Sequence, residues 1–422
     1  MPEIRPLNAL HYAPDDLQDA VAPPYDVIDA DLRANLVGRS PHNVVVVDLP
    51  VEPGSEGAAG DEPYDEAART FAEWQESGVL QRDDEPALWV LTQEYVGPDG
   101  QKRTRSGFFA AVRVEDYGPG RIRPHERTHP GPKEDRLKLT RATNANLSPI
   151  FSLYSDAEGR ARRALESVVG DGEPWATVTD DDGTVNRMWR VTGDAVVGEL
   201  QAVVGSAELL IADGHHRYET ARVYAREQGT EEARWVLMNL VALEDPGLTV
   251  FPTHRLATGR GLDRYEALAT TLREHFEIEE VAPDDLAPPA GDGPAQFGYL
   301  DGHFRRPFRL TWKGAPVPGL SGPLASFDSA ILETLILKGP LELTDDDIDH
   351  LHDFGYARDA EQAKDLVLDG DYDVAFLLRP PSVATIQEVA AAGQNMPPKS
   401  TYFFPKVPTG LVFNPLGKPA VR

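Results

Sequence analysis

The sequence predicts a mixed α/β (α+β) protein. Apolar runs of strand length alternate with stretches whose apolar residues recur at helical spacing, and neither an internal repeat nor a heptad pattern runs through them. From the N-terminus, Ala22-Pro23-Pro24-Tyr25-Asp26-Val27-Ile28 reads as a rigid proline-bearing loop, and Asn43–Leu49 as a buried strand. The acidic run 53–66 reads as a flexible loop. A helix is expected over Asp65–Ser77, with Ala68, Phe71 and Trp74 on one face. Ala87–Tyr95 and Arg103–Val114 form the arms of a hairpin around Gly97-Pro98-Asp99-Gly100.

A polar stretch, Arg121–Arg141, separates that hairpin from a strand at Pro149–Tyr154 and a helix near 157–169. Strand Leu209–Ala212 runs into a tight turn and a helix with Tyr218, Ala221, Val223 and Tyr224 on its apolar side. Trp235–Val241 is apolar enough for strand or helix, and Leu248–Pro252 reads as a strand. The Pro-, Asp- and Gly-rich segment Ala282–Pro294 marks the expected boundary between a region 1–281 and a C-terminal α/β region 282–422 that completes the same site. Beyond it come helix Ser326–Leu337, a helix near 359–369, strand Asp373–Leu378 and helix Val383–Ala392.

Composition narrows the function. A chain of 422 residues with 41% hydrophobic content holds two or three ordinary cores. No run approaches the ~18 apolar residues of a membrane span, and the first residues lack a basic-then-apolar leader, so the expected location is the cytoplasm and no membrane partner is expected. Without cysteine, disulfides, thiolate catalysis and cysteine-ligated metals are excluded. The net charge of −28 repels a phosphate backbone, so nucleic acid is not an expected partner. Nine of the 41 basic residues are lysine and 32 arginine, which fits either a salt-rich cytoplasm or a GC-rich genome. Nothing in the sequence sets the oligomeric state.

Three segments carry chemistry. The first is Asp213-Gly214-His215-His216-Arg217 at the strand-to-helix turn, where a capping side chain (Asp213) and a residue free of Cβ sterics (Gly214) are wanted. Unpartnered N–H groups at the positive end of a helix, beside His215, His216 and Arg217, suit a phosphate. Arg217 can hold it bidentately, and His215 or His216 can donate to it or move a proton near neutral pH. A capped helix start with structural histidines is the alternative, and adjacent histidines chelate a metal poorly. The second segment, Arg121–Arg136, packs five Arg or Lys and two His into sixteen residues of an acidic chain. His125, Arg127, Lys133 and Arg136 would attract a polyanion, and Glu126 would act as general base or bind a metal. A solvated loop with surface ion pairs is the alternative. The third is Met396–Lys406, where Lys399, Ser400 and Thr401 would contact phosphate and the following aromatics stack a ring. Lacking the glycines of a Walker loop, it reads equally as a buried aromatic strand with a polar turn.

These segments give the whole chain a resemblance to the bacterial and archaeal family known as domain of unknown function 1015. It rests on Pro23-Pro24-Tyr25-Asp26-Val27, His125-Glu126-Arg127-Thr128, Gly131-Pro132-Lys133-Glu134-Asp135-Arg136, Asn146-Leu147-Ser148-Pro149, Asp213–Glu219 and Pro398–Phe403. More distantly, Gly214-x-His216-Arg217 before an alanine-bearing helix resembles the phosphate-binding box of ParB, sulfiredoxin and the ParB-like free serine kinases. That likeness implies a ParB/sulfiredoxin-like core with additional α/β regions. Sulfiredoxin chemistry needs a cysteine, and the ParB DNA clamp conflicts with the charge. The small-molecule kinase remains.

The resemblance thus implies a nucleotide-dependent phosphotransferase acting on a small hydroxylated metabolite, serine or phosphoserine preferred. In it Arg217, His216 and the Gly214 backbone hold the phosphates of ATP or ADP. Lys133, Arg136 and Lys399 neutralise developing charge, and Glu126 is the base. Mg2+ is expected between the phosphates and Asp213. A phosphatase using the same cradle and a non-catalytic nucleotide-binding switch are the alternatives.

Overall fold

The computed structural model describes all residues except 54–59, 98, 127–129, 260, 292 and 418–422, and the backbone alone at 130–132. It divides into two compact units. The first comprises Met1–Pro124, Thr128–Leu248 and Pro405–Arg422; the second comprises His125–Arg127 and Thr249–Phe404. The chain leaves the first unit at Leu248 and returns at Pro405, so the proline-rich stretch 282–294, expected to mark a boundary at 281/282, lies inside the second unit.

The first unit is built on a mixed nine-stranded sheet. Its strands are β1 (Ile4–Arg5), β2 (Leu88–Val96), β3 (Lys102–Arg113), β4 (Ile122–Arg123), β5 (Ile150–Tyr154), β6 (Ala176–Thr179), β7 (Val185–Val191), β8 (Leu209–Asp213) and β9 (Trp235–Ala242). The spatial order is β4-β8-β5-β9-β3-β2-β7-β6, with β1 beside β3. The β8–β4 and β9–β5 pairs are parallel and the others antiparallel. The hairpin expected around residues 97–100 is the β2–β3 pair, and the apolar run from Trp235 is a strand because it lies buried between β5 and β3.

Period-two alternation sorts the sheet residues. Leu88, Val90, Phe108, Ala110, Ile150, Ile211, Met238 and Leu240 join one core with Leu165 and Leu200. The last two come from helices α4 (Arg160–Asp171) and α5 (Asp194–Ser206). Three other helices matter to the site: α1 (Val45–Asp48), α2 (Glu62–Glu76) and α3 (Pro130–Thr143). A sixth, α6 (His215–Gln228), follows β8.

Two expectations fail here for physical reasons. The valine run after Asn43 is the short helix α1 rather than a strand. Asn43 is buried, its Nδ2 donates to the carbonyls of Asp19 and Val21, and its Oδ1 accepts from the Val45 N–H, which closes a helical turn. A short, fully apolar run has no period to decide between the two. The polar stretch Arg121–Arg141 is largely helix α3, opened by Pro130 at its first position. Its buried positions pair a charged residue, Arg136, with Leu139, so no continuous apolar stripe announces it.

The second unit carries a six-stranded antiparallel sheet. After β10 (Thr249–Phe251), its strands are β11 (His254–Ala257), β12 (Phe276–Glu280), β13 (Gln296–Asp301), β14 (Pro307–Trp312), β15 (Phe354–Ala357) and β16 (Val374–Leu378). The order is β12-β14-β13-β16-β11-β15. Phe297, Leu310, Phe354 and Phe376 of the sheet pack on Leu268 and Leu272 of helix α7 (Leu262–His275) and on Ile331 and Leu332. The last two belong to helix α8 (Asp328–Leu332), whose expected continuation to Leu337 is a π-turn, Glu333–Leu337. Separately, β10 pairs with β17 (Tyr402–Phe404).

One pH effect follows from the β6–β7 turn. Burial pushes the Asp180 carboxyl up to about 7; the Asn186 hydrogen bond opposes this, while the Asp182 and Asp181 charges add to it. The folded state therefore keeps a proton that the unfolded chain releases near pH 4, and stability declines as pH rises from about 4 to 7. Asp180→Asn is expected to raise the urea midpoint at pH 8 and leave it unchanged at pH 4. Equal shifts at the two pH values would contradict the assignment.

Candidate functional site

Strand β8 delivers Asp213 to its end, and Gly214 turns the chain into α6 with φ +95°, a region that favours glycine. A Cβ at Gly214 would also meet the Arg217 Nε at 3.0 Å, so the turn needs glycine twice over. The expectation that Asp213 caps the helix is not met. Gly214 itself occupies the N-cap position, and no side chain caps it. The Asp213 carboxylate faces cations instead: Arg217 Nη2 donates to Oδ2 at 2.5 Å, and Lys406 Nζ donates to Oδ1. Burial alone would raise this carboxyl, but the charges of Lys406 and Arg217 override it and hold the group well below the ordinary aspartate range.

Arg217 also donates from Nη1 to the Pro149 carbonyl. Of the two histidines, His215 is buried near Asp213 and His216 is half-buried, as adjacent positions on a helix require.

Arg217 lines a small cavity of about 40 Å3 with Arg136, Asp48, Ser148, Asn146 and Thr220. Helix α3 packs along α6 and brings Arg136 there, with the Thr220 hydroxyl donating to the Lys133 carbonyl at 3.4 Å. Arg136 Nη1 donates to the Asp48 carbonyl at 2.6 Å and lies 3.3 Å from Asp48 Oδ1; its Nε donates to Asp135 Oδ2 at 2.7 Å. Nη2 sits 2.6 Å from that same carboxylate oxygen, so the two groups form a close ion pair. The guanidinium stacks 4.2 Å from the Tyr25 ring, and Ser148 donates to Asp48 Oδ2 at 2.8 Å. Burial disfavours the Arg136 cation, yet Asp48 and Asp135 more than offset it. Burial also pushes the Tyr25 hydroxyl up to about 12.

Residues distant in sequence thus line one cavity: Asp48, Arg136, Asn146 with Ser148, and Arg217 with Thr220. Arg136 and Arg217 were expected to bind phosphate and share it. Lys133 is half-buried on α3, with its carbonyl engaged as above. Arg127 lies outside the described residues.

The remaining expected residues belong to the second unit. His125 Nε2 is 3.0 Å from the Thr401 hydroxyl, and the Lys399 N–H donates to Glu126 Oε1 at 2.8 Å. Lys399 has φ +56° and an exposed side chain. Ser400 is buried, 2.7 Å from the Ser329 hydroxyl and donating to the Pro397 carbonyl. Arg255, fully buried, donates to the Pro398 carbonyl at 2.9 Å and the Lys399 carbonyl at 3.3 Å.

Asp213 does not fit the expected magnesium ligand. Both its oxygens accept from cations, and two positive groups at hydrogen-bond distance oppose a divalent ion. Among the described residues, no group of three or more His, Asp and Glu is arranged to hold a metal.

Sequence reasoning missed Lys406 as the partner of Asp213, Asp48 as the partner of Arg136, and Tyr25 as its stacking surface. The only local hint at Lys406 was a lysine where arginine is the usual cation of this chain.

The sequence pattern of a family described as proteins of unknown function, DUF1015, matches residues 4–328. No curated protein matches the chain. Among solved structures, a conserved hypothetical protein from Pyrococcus furiosus overlaps with a TM-score of 0.35 at 16% identity, covering 69% of this chain and 92% of that one. A free serine kinase in complex with AMP overlaps with a TM-score of 0.35 at 15% identity, covering 69% and 88%. SbnI with a C-terminal truncation, from Staphylococcus aureus, gives 0.38 at 13%, covering 73% and 87%. Overlaps this loose assign no chemistry.

The Arg136–Asp48 pair yields a stability prediction. Asp48→Ala removes a partner from a buried cation and should cost ~3–5 kcal/mol. Adding Arg136→Met should recover part of that loss. A urea midpoint within experimental error of wild type for Asp48→Ala would contradict the pairing.

Proposed function

We propose, for a chain that belongs to the DUF1015 family of proteins of unknown function, that it binds the phosphates of ATP or ADP at the start of α6. It then transfers a phosphoryl group to a small hydroxylated metabolite, with serine the preferred acceptor. The observation that carries the reading is the cavity lined by both Arg136 and Arg217, at a helix start that no side chain caps. An anion there would meet two guanidinium groups at once and lie close to the positive end of α6.

In this reading Arg217 and the first turn of α6, with His216, hold the phosphates, and Arg136 and Lys133 offset charge on the transferred group. The acceptor hydroxyl attacks phosphorus, the bond to the leaving phosphate breaks, and Glu126 takes the hydroxyl proton. Glu126 is the candidate for the acidic residue that activates the acceptor hydroxyl in the serine kinases, and Lys399, Ser400 and Thr401 are kept as phosphate contacts on their residue types alone.

Titration calorimetry with ADP, and transfer assays with ATP or ADP, magnesium and a panel of hydroxy amino acids, test the proposal. Arg217→Ala should weaken ADP binding roughly tenfold to a hundredfold. Glu126→Gln should lower kcat by roughly 10²–10⁴ with little change in ADP affinity. No nucleotide binding by the wild type, or binding indifferent to Arg217→Ala, would contradict it. Phosphate released from phosphoserine without nucleotide would replace the transferase with a hydrolase.

A further inference from the structure

The sheet of the first unit carries a row of buried polar side chains on β7, β2 and β3. Asn186 pairs in register with Gln93, and Gln93 with Arg105, so the three stand side by side on one face. All three are buried to within 1% exposure. Gln93 Nε2 donates to Asn186 Oδ1 at 2.9 Å, and Arg105 Nε donates to Gln93 Oε1 at 3.2 Å. Arg105 also lies 4.5 Å from the Phe151 ring, next to Asp213 in the β5–β8 register.

What this row holds is backbone. Arg105 Nη2 donates to the Pro405 carbonyl at 2.6 Å, and Gln93 Nε2 donates to the Lys406 carbonyl at 3.1 Å. The Lys406 side chain then reaches Asp213. Burial lowers the Arg105 pKa to about 10, so the guanidinium stays charged at neutral pH. A charged, planar donor desolvated within a sheet, shared between Gln93 and the Pro405 carbonyl, is an expensive way to hold a segment unless the position of that segment matters.

We infer that Arg105 and Gln93 are positioning residues for the anion site: by gripping the Pro405 and Lys406 carbonyls they set Lys406 against Asp213, and so hold the carboxylate that fixes Arg217 where a phosphate would meet it. The second clause rests on the proposed function; the first does not. Asn186 fixes which way the Gln93 amide points, since its Oδ1 takes the same Nε2 that serves Lys406.

Residue-resolved lysine acylation of the full-length protein, read by mass spectrometry, tests the grip without any ligand. Arg105→Met and Gln93→Leu should each raise Lys406 labelling roughly tenfold, as Asp213→Asn does, while Lys138, Lys338 and Lys364 stay unchanged. Arg105→Lys, which keeps one charged donor, should restore much of the protection. Unchanged Lys406 labelling, or a uniform rise at all lysines, would overturn the inference. If Arg105→Met does not fold, Gln93→Leu decides alone. With ADP as probe, Arg105→Met should weaken binding as much as Lys406→Ala, and the double variant no further; additive losses would overturn the link to the site. Wild-type protein that binds no ADP would refute the proposed function while the labelling result still judges the grip.

Discussion

A buried carboxylate closed on from two sides by cations is the constraint on which this molecule's candidate site depends. Asp213 stays ionised although burial disfavours its charge, because Arg217 from the next helical turn and Lys406 from the returning C-terminal segment both donate to it. The consequences run outward. Arg217 is pinned at the first turn of α6, its side chain lies where a Cβ at position 214 would crowd it, and the segment at Pro405 is tied to the middle of the sheet. One negative and two positive charges leave the junction net cationic within a chain whose overall charge is −28. Local reversal of that kind is what an anion site in an acidic protein needs.

A second buried charge pair repeats the logic nearby. Arg136 is held by Asp48, Asp135 and the Tyr25 ring, and it shares a cavity with Arg217. Buried pairs of this type seldom raise stability over apolar packing; their usual return is a fixed geometry. Here the geometry fixed is that of two guanidinium groups at one cavity. The segment 397–406 shows the same device at each end: Arg255 takes the Pro398 and Lys399 carbonyls within the second unit, and Arg105 takes that of Pro405 within the first.

Much of the architecture was legible in the sequence because alternation and turn residues speak locally. The β2–β3 hairpin, the strand–glycine–helix junction at Asp213 and the helices near 160 and 215 are where pattern placed them. Asn43–Leu49 was misread because a wholly apolar run carries no period, and a buried asparagine chose the helix. Helix α3 was hidden in a polar stretch because one of its buried residues is an arginine and only Leu139 beside it is apolar. At the site, residue types were legible and partners were not. Lys406 lies 193 positions from Asp213 and Asp48 lies 88 from Arg136, so only the fold introduces them. The same long-range pairing turned an expected helix cap into an ion pair and withdrew Asp213 from magnesium.

The proposed oxyanion site lies where Arg136 and Arg217 share a cavity at the opening of α6. Anomalous diffraction from crystals soaked in tungstate would locate that ion directly. A peak within hydrogen-bond reach of both guanidinium groups and the first-turn N–H groups is the predicted result. Tungstate bound elsewhere with that cavity empty, at concentrations that saturate the protein in solution, would contradict it.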